Sequence, residues 1–282
     1  MSEHANLVDV QQVQANGAVL YTETRGARHG PAVLLIAGAG GDAQELAGVA
    51  DALASAYTVI TYDRRGNSRS PRPAGWAATS VAEQADDAAA LLAALGHRTA
   101  AVAGTSAGGS IALELALRHP SAVRKAIIHE PPIAAVTANP GAVTADLGAL
   151  IEQGMADGGP HAAMELFLRW AAGEAAFASI DPADRERYLN NGEVFFGVEI
   201  PPLMAYQPTA EAIKNARPPV VAAASRASRD PAGPHYFLYQ AAAWLASEAG
   251  TGLAEIPGSH MAYLTDPAAV AEHLRPLLQN LS

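Results

Sequence analysis

The chain has no cysteine among its 282 residues. That excludes a disulfide framework, thiolate metal sites and a cysteine nucleophile together. Basic residues are scarce as well: 18 Lys and Arg stand against 28 Asp and Glu, a formal net charge of −10. No basic cluster exceeds a pair, so the positive face that holds nucleic acid is missing and no nucleic-acid partner is expected. No uninterrupted apolar segment approaches the ~20 residues that span a bilayer, so no membrane partner is expected either. The opening Met1-Ser2-Glu3-His4 lacks a basic stretch followed by an apolar one, which predicts no signal peptide and a cytoplasmic location. Aromatics are few, with five Phe and three Trp, so Ala, Val, Leu and Ile must build the core. Half the residues are apolar (50%) and 16% are charged, a composition that excludes a largely disordered chain. Since α/β folds run to ~250 residues as one unit, one core plus an insertion is expected.

The patterning predicts a hairpin first, with Val10–Gln14 and Val19–Thr24 flanking the turn pair Asn16-Gly17. Short apolar runs follow at Ala32–Ile36, Tyr57–Tyr62, Thr99–Ala103, Val123–Ile128, Val220–Ala224 and Leu253–Ile256. Runs apolar on both faces are what a parallel sheet produces. Helices are predicted between them. Ser80 and Glu83 are spaced as a capping box, with Gly96 as the stop. Ala107–His119 ends at Pro120, and Asp266-Pro267 opens a last helix. From about Pro132 to Arg217 the rhythm breaks. That stretch shows helical segments such as Ala162–Ala172 and loop signals at Asn139-Pro140-Gly141, Gly158-Gly159-Pro160 and Pro201-Pro202, but no clear strand. It is read as a helical cap (132–217) inserted into a core made of 1–131 and 218–282.

Gly104-Thr105-Ser106-Ala107-Gly108 lies between a buried strand and a helix. This G-x-S-x-G pattern lifts a serine on a sharp turn, above helix N–H groups that favour developing negative charge. The glycine-rich turn Ala37-Gly38-Ala39-Gly40-Gly41 follows the first parallel strand. Asp63-Arg64-Arg65-Gly66-Asn67-Ser68-Arg69-Ser70 follows the next, and Gly258-Ser259-His260 follows the last. Taken in this order, these motifs resemble the α/β-hydrolase superfamily, in the serine-nucleophile branch with a helical cap. The resemblance spans nearly the whole chain apart from the cap. It implies an eight-stranded, mostly parallel sheet with helices on both faces, Ser106 as nucleophile, His260 as base and a carboxylate partner. The N–H groups of Ala39 and Ala107 would form the oxyanion hole.

Two departures stand out. The family's turn after the first parallel strand usually begins His-Gly, whereas here it is Ala37-Gly38; the histidine is commonly structural. The acid usually follows the penultimate strand, where this chain reads Ser225-Arg226-Ala227-Ser228-Arg229-Asp230. Ser228 aligns with the usual acid, and Asp230 lies slightly late. Glu130, at the end of the strand after the nucleophile helix, is the preferred alternative, since some family branches place their acid there. Asp230 stays open as the second choice, or as the cap of a helix starting at Pro231.

Other residues have plainer readings. Asp63 and Arg64 are read as loop ties, His119 and His273 as helix-end residues, and His129 as lining the pocket or bonding the adjacent loop. Phe167, Trp170, Phe195 and Phe196 are candidates for lining an apolar substrate pocket; Phe177 and Tyr206 share that part of the chain. There is no His-Glu-x-x-His and no close His pair, and Gly38–Gly41 lacks the lysine of a phosphate loop, so no metal or cofactor is expected. The expected activity is cleavage of an ester or lactone of a small, moderately apolar molecule through an acyl-enzyme, by a monomer or homodimer. The unusual acid region and the missing turn histidine motivate an alternative, a non-hydrolytic ligand sensor, cyclase or lyase on the same fold.

Overall fold

The computed structural model describes residues 8–27 and 29–279. The opening Met1–His4, read above for a leader, lies outside them. The apolar runs form strands β1 (Asp9–Ala15), β2 (Ala18–Arg25), β3 (Ala32–Ile36), β4 (Thr58–Tyr62), β5 (Ala100–Thr105), β6 (Val123–His129), β7 (Val220–Ser225) and β8 (Ala254–Ile256). They make one sheet in the order β1-β2-β4-β3-β5-β6-β7-β8. β1 and β2 pair antiparallel, β2 pairs antiparallel with β4, and the remaining pairs are parallel. Asn16 and Gly17 both have positive φ, 46° and 75°, as a two-residue hairpin turn with the strand's own twist demands.

Both faces of the parallel part are covered, which is why its strands read as unbroken apolar runs. Leu34 and Ile36 of β3 pack with residues of α2 (Val81–Ala94) and α3 (Ala107–Arg118). Val33 and Leu35, pointing the other way, pack with α1 (Ala47–Leu53) and a C-terminal helix, Pro267–Gln279. The capping box is half formed. Ser80 Oγ accepts from Glu83 N at 2.9 Å, but the Glu83 carboxylate turns instead to Arg65, Trp76 and Thr79. Gly96, at φ 80°, stops the helix as expected.

Between β6 and β7 the described residues form helices only. These are a 3₁₀ turn (Ala134–Val136), α4 (Pro140–Ala172, broken by non-helical Gly158 and Gly159), α5 (Glu174–Ser179), α6 (Pro182–Asn190), α7 (Gly192–Val194), a π-helical turn at Phe195–Glu199, α8 (Ile200–Met204) and α9 (Ala210–Lys214). Helices α10 (Tyr236–Glu248), α11 (Ala262–Thr265) and α12 (Pro267–Gln279) close the chain. The helix expected at Pro231 does not form. Asp230 closes a short turn by accepting from Ala232 N at 3.0 Å, and α10 starts at Tyr236. His273 lies within α12, bonding the Ala269 carbonyl, rather than at a helix end. Among the described residues no helix is long and apolar enough to cross a membrane.

Buried polar ties fasten the helical segment to the sheet. Arg64 donates from Nη1 to the carbonyls of Ala37 and Gly38, both at 2.8 Å, and from Nε and Nη2 to the two carboxylate oxygens of Glu199 at 3.1 and 3.0 Å. Asn67 and Gln84 also donate to Glu199. Asn191 donates to the Gly40 carbonyl at 2.8 Å and accepts from Ser68 N at 2.7 Å. Asp63 is fully taken up by Ala43 N, Arg69 N and the Arg69 guanidinium. Asp63 and Arg64 are thus loop ties, as the sequence suggests, and Arg64 props the very turn that lacks its histidine.

Candidate active site

The ends of β5, β6 and β7 converge on one point. β5 delivers Ser106 into a sharp turn with φ 53° and ψ −123°, directly before α3. A non-glycine residue in this region costs of order 1–3 kcal/mol, which the surroundings must offset. Small neighbours make the turn possible. A Cβ on Gly104 would collide with the Gly108 carbonyl, and one on Gly108 with the Ile36 carbonyl. Ser106 N donates to His129 O at 2.9 Å, which fixes the turn to β6. Ala107 is the first residue of α3, where the N–H groups have no partner within the helix. Ala39, on the glycine-rich turn, lines the same pocket as Ser106.

Glu130 follows β6, also at positive φ (47°). Its backbone N–H donates to Ala223 O at 3.0 Å, and Ser225 N donates to its Oε1 at 2.8 Å. His260 Nδ1 bonds its Oε2 at 2.6 Å, which leaves the far ring nitrogen for the pocket. Burial alone would raise the Glu130 carboxyl, but the facing His129 and His260 rings and the hydrogen bond from His260 hold it well below the usual carboxylate range. Of the two candidate acids, the structure therefore brings Glu130 to His260 and leaves Asp230 in an exposed turn. Ser228, aligned with the family's usual acid, is buried and faces the same carboxylate.

His129 is wholly buried beneath this pair. Ser225 Oγ donates its one proton to the Ser259 carbonyl (2.9 Å), so at 2.9 Å it accepts from His129 Nε2. His129 Nδ1 then accepts from Thr105 Oγ1, again at 2.9 Å. This neutral ring ties the ends of three strands to the loop that carries His260, and burial pushes its pKa down to about 4. Of its two sequence readings, the loop tie is the one the structure forms.

Ser106 and His260 line the same apolar pocket, with about 40 Å³ of free space, together with Phe167, Trp170 and Phe195 of the helical segment. Phe196 does not line it; its ring packs behind, 5.0 Å from that of Phe195 and edge-on to Phe167. Phe177 is clasped by Arg169 and Arg185, and Tyr206 bonds Glu114 of α3 at 3.1 Å. Val143, Leu147, Phe237 and Leu238 also line the pocket. Helical periodicity alone marks such residues as core. His235 was likewise silent in the sequence; its ring sits 5.6 Å from that of His260.

One more carboxyl faces this region. Glu45 is wholly buried under the glycine-rich turn, and burial pushes its pKa up to about 7. An acid with a raised native pKa binds its proton more tightly when folded, so its contribution is full below about 4.5 and fades as pH rises toward 7. His129 acts in the opposite sense: its native pKa is depressed, so stability is lost as pH falls from 6.5 toward 4. Glu45→Gln is expected to steepen the loss of stability between pH 7 and pH 5 by about 2 kcal/mol. Urea denaturation at the two pH values checks this; parallel behaviour of variant and wild type would refute it.

The profile of the family described as alpha/beta hydrolase fold matches residues 31–267. An uncharacterized hydrolase, YraK, of Bacillus subtilis (strain 168) is 33% identical over 274 residues, covering 95% of each chain. A putative carbamate hydrolase, RutD, of Azorhizobium caulinodans is 44% identical over 111 residues, 39% of this chain and 40% of its own. Among solved structures, naproxen esterase (carboxylesterase NP) of Bacillus subtilis superposes with a TM-score of 0.74, covering 97% of this chain and 92% of that one. At 19% identity that likeness concerns the fold alone.

Proposed function

The chain belongs to the α/β-hydrolase-fold family as a hydrolase, and we propose that it is a serine hydrolase acting on esters or lactones of small, moderately apolar molecules. Ser106 attacks the carbonyl carbon while His260 takes its proton through the ring nitrogen facing the pocket. Glu130, held on Nδ1, fixes the ring's tautomer and stabilises the imidazolium. The N–H groups of Ala39 and Ala107 bind the oxyanion. His260 then returns the proton to the leaving group, and water deprotonated by the same ring resolves the acyl-enzyme. We read 132–217 as a cap that supplies the apolar wall of the pocket. No step of this cycle requires a cofactor.

The observation that carries this reading is the 2.6 Å bond between His260 Nδ1 and Glu130, made beside a serine on a strained strand–helix turn. It also weighs against the non-hydrolytic alternative. That reading drew on an incomplete acid region and a turn without histidine, but Glu130 occupies the acid's place and Arg64 braces the turn. The partial match to a putative carbamate hydrolase adds carbamates to the acyl groups worth assaying. The test is covalent: a fluorophosphonate should label the protein once, with the adduct on the peptide containing Ser106. Labelling elsewhere, or none, would count against the proposal.

A further inference from the structure

Buried carboxylates near the glycine-rich turn are, with one exception, consumed by the fold. Asp63 accepts from Ala43 and Arg69, and Asp42 accepts from Gln44, Glu45, Ser68 and Arg187. Glu45 is the exception. Its Oε2 and the hydroxyl of Tyr188 find no hydrogen-bond partner elsewhere among the described residues; the phenol faces the carboxyl, and each has only the other. The two side chains face each other, both buried. The nearby Arg64 does not serve Glu45, since its donors go to Ala37, Gly38 and Glu199.

Both groups open onto a small cavity that Ser106 and His260 also line. The rest of its wall is largely apolar, including Phe167, Leu168 and Ala171. Only the space beside Gly38 separates Glu45 Oε1 from the candidate nucleophile. The point where a Cβ of Gly38 would stand is 3.4 Å from Ser106 Cβ and 3.7 Å from Glu45 Oε1. Gly41 makes room for the carboxyl, whose Oε2 occupies the space a side chain there would need. The free space in this cavity, about 20 Å³, suits one water-sized group.

We propose that Glu45 and Tyr188 form a polar subsite beside Ser106, which takes a hydroxyl or N–H group borne next to the scissile carbonyl. The inference rests on the serine-hydrolase reading and narrows its substrates to 2-hydroxy esters, carbamates and acyl groups of like shape. A carboxyl presents an acceptor oxygen in either protonation state, and a phenol oxygen accepts as well, so a donor on the substrate is matched throughout the neutral range. A methyl group in its place would leave the pair's remaining lone pairs without a donor. Sites built around such bonds discriminate strongly against the analogue that lacks the donor.

One matched pair exchanges the donor for methyl at nearly constant shape: phenyl lactate against phenyl isobutyrate. Each kcat/KM is divided by the ester's own rate of hydroxide hydrolysis. The donor-bearing member is expected to lead by at least tenfold, on the order of what one buried hydrogen bond gives. Glu45→Leu should bring that ratio to within threefold of one, and Tyr188→Phe, which changes only the hydroxyl, should lower it. A wild-type ratio near one overturns the subsite, whether or not Glu45→Leu folds. So does a high ratio that Tyr188→Phe leaves unchanged. If no ester acylates Ser106, the hydrolase reading fails and this inference with it; acylation at equal rates removes only the subsite.

Discussion

Replacing Ser106 by Ala should lower kcat on an activated ester by about a millionfold, to the residual rate that binding and the oxyanion donors supply. The size of the effect follows from what the hydroxyl does. Without it no acyl-enzyme forms, and His260 has no nucleophile to activate. The fold should survive, because no described element is held by the Ser106 side chain: its N–H, not its hydroxyl, makes the bond to His129. Circular dichroism and a thermal midpoint within a few degrees of wild type would separate lost chemistry from lost structure. A folded variant that keeps more than about a hundredth of wild-type turnover would refute a nucleophilic role.

The second large effect concerns the acid. Glu130→Gln keeps the side chain's shape but replaces the carboxylate with a neutral amide. The His260 tautomer is then no longer fixed and the imidazolium loses its counter-charge, so kcat is expected to fall by about ten-thousandfold. Asp230→Asn should change kcat less than twofold, since that side chain only closes an exposed turn at Ala232. The paired comparison, run on the same ester at the pH optimum of the wild type, decides between the two acids. Equal losses in both variants, or a larger loss for Asp230→Asn, would reject Glu130.

The sequence carries the sheet plainly because burial on two faces leaves unbroken apolar runs, as in Val33 and Leu35 against one layer and Leu34 and Ile36 against the other. It carries Ser106 and His260 because each follows a strand within a recognisable turn. The acid is harder to read. Asp230 and Glu130 are both loop carboxylates at strand ends, and only the parallel pairing of β6 with β7 brings Glu130 N to Ala223 and Ser225 N to its carboxylate. The pocket is harder still. Phe237 and Leu147 have the helical spacing of core residues, and nothing local distinguishes a side chain facing a cavity from one facing another helix. Phe196 shows the converse, since it neighbours Phe195 in the chain yet stays out of the pocket that Phe195 lines. Glu45 gives no local sign at all, because its burial is created by Gly41 and Tyr188, one close in the chain and one far along it.

Arg64 binds the backbone of the glycine-rich turn and the carboxylate of Glu199 with the same guanidinium. Exchanging the segment between β6 and β7 for one from another hydrolase would therefore alter more than substrate choice. A donor segment without an acid at this place would strand a cation in the interior, next to the bend that carries Ala39, and stranded charges of this kind destabilise by several kcal/mol. Chimaeras of this chain accordingly need Glu199 carried along with the graft, or Arg64 changed together with it.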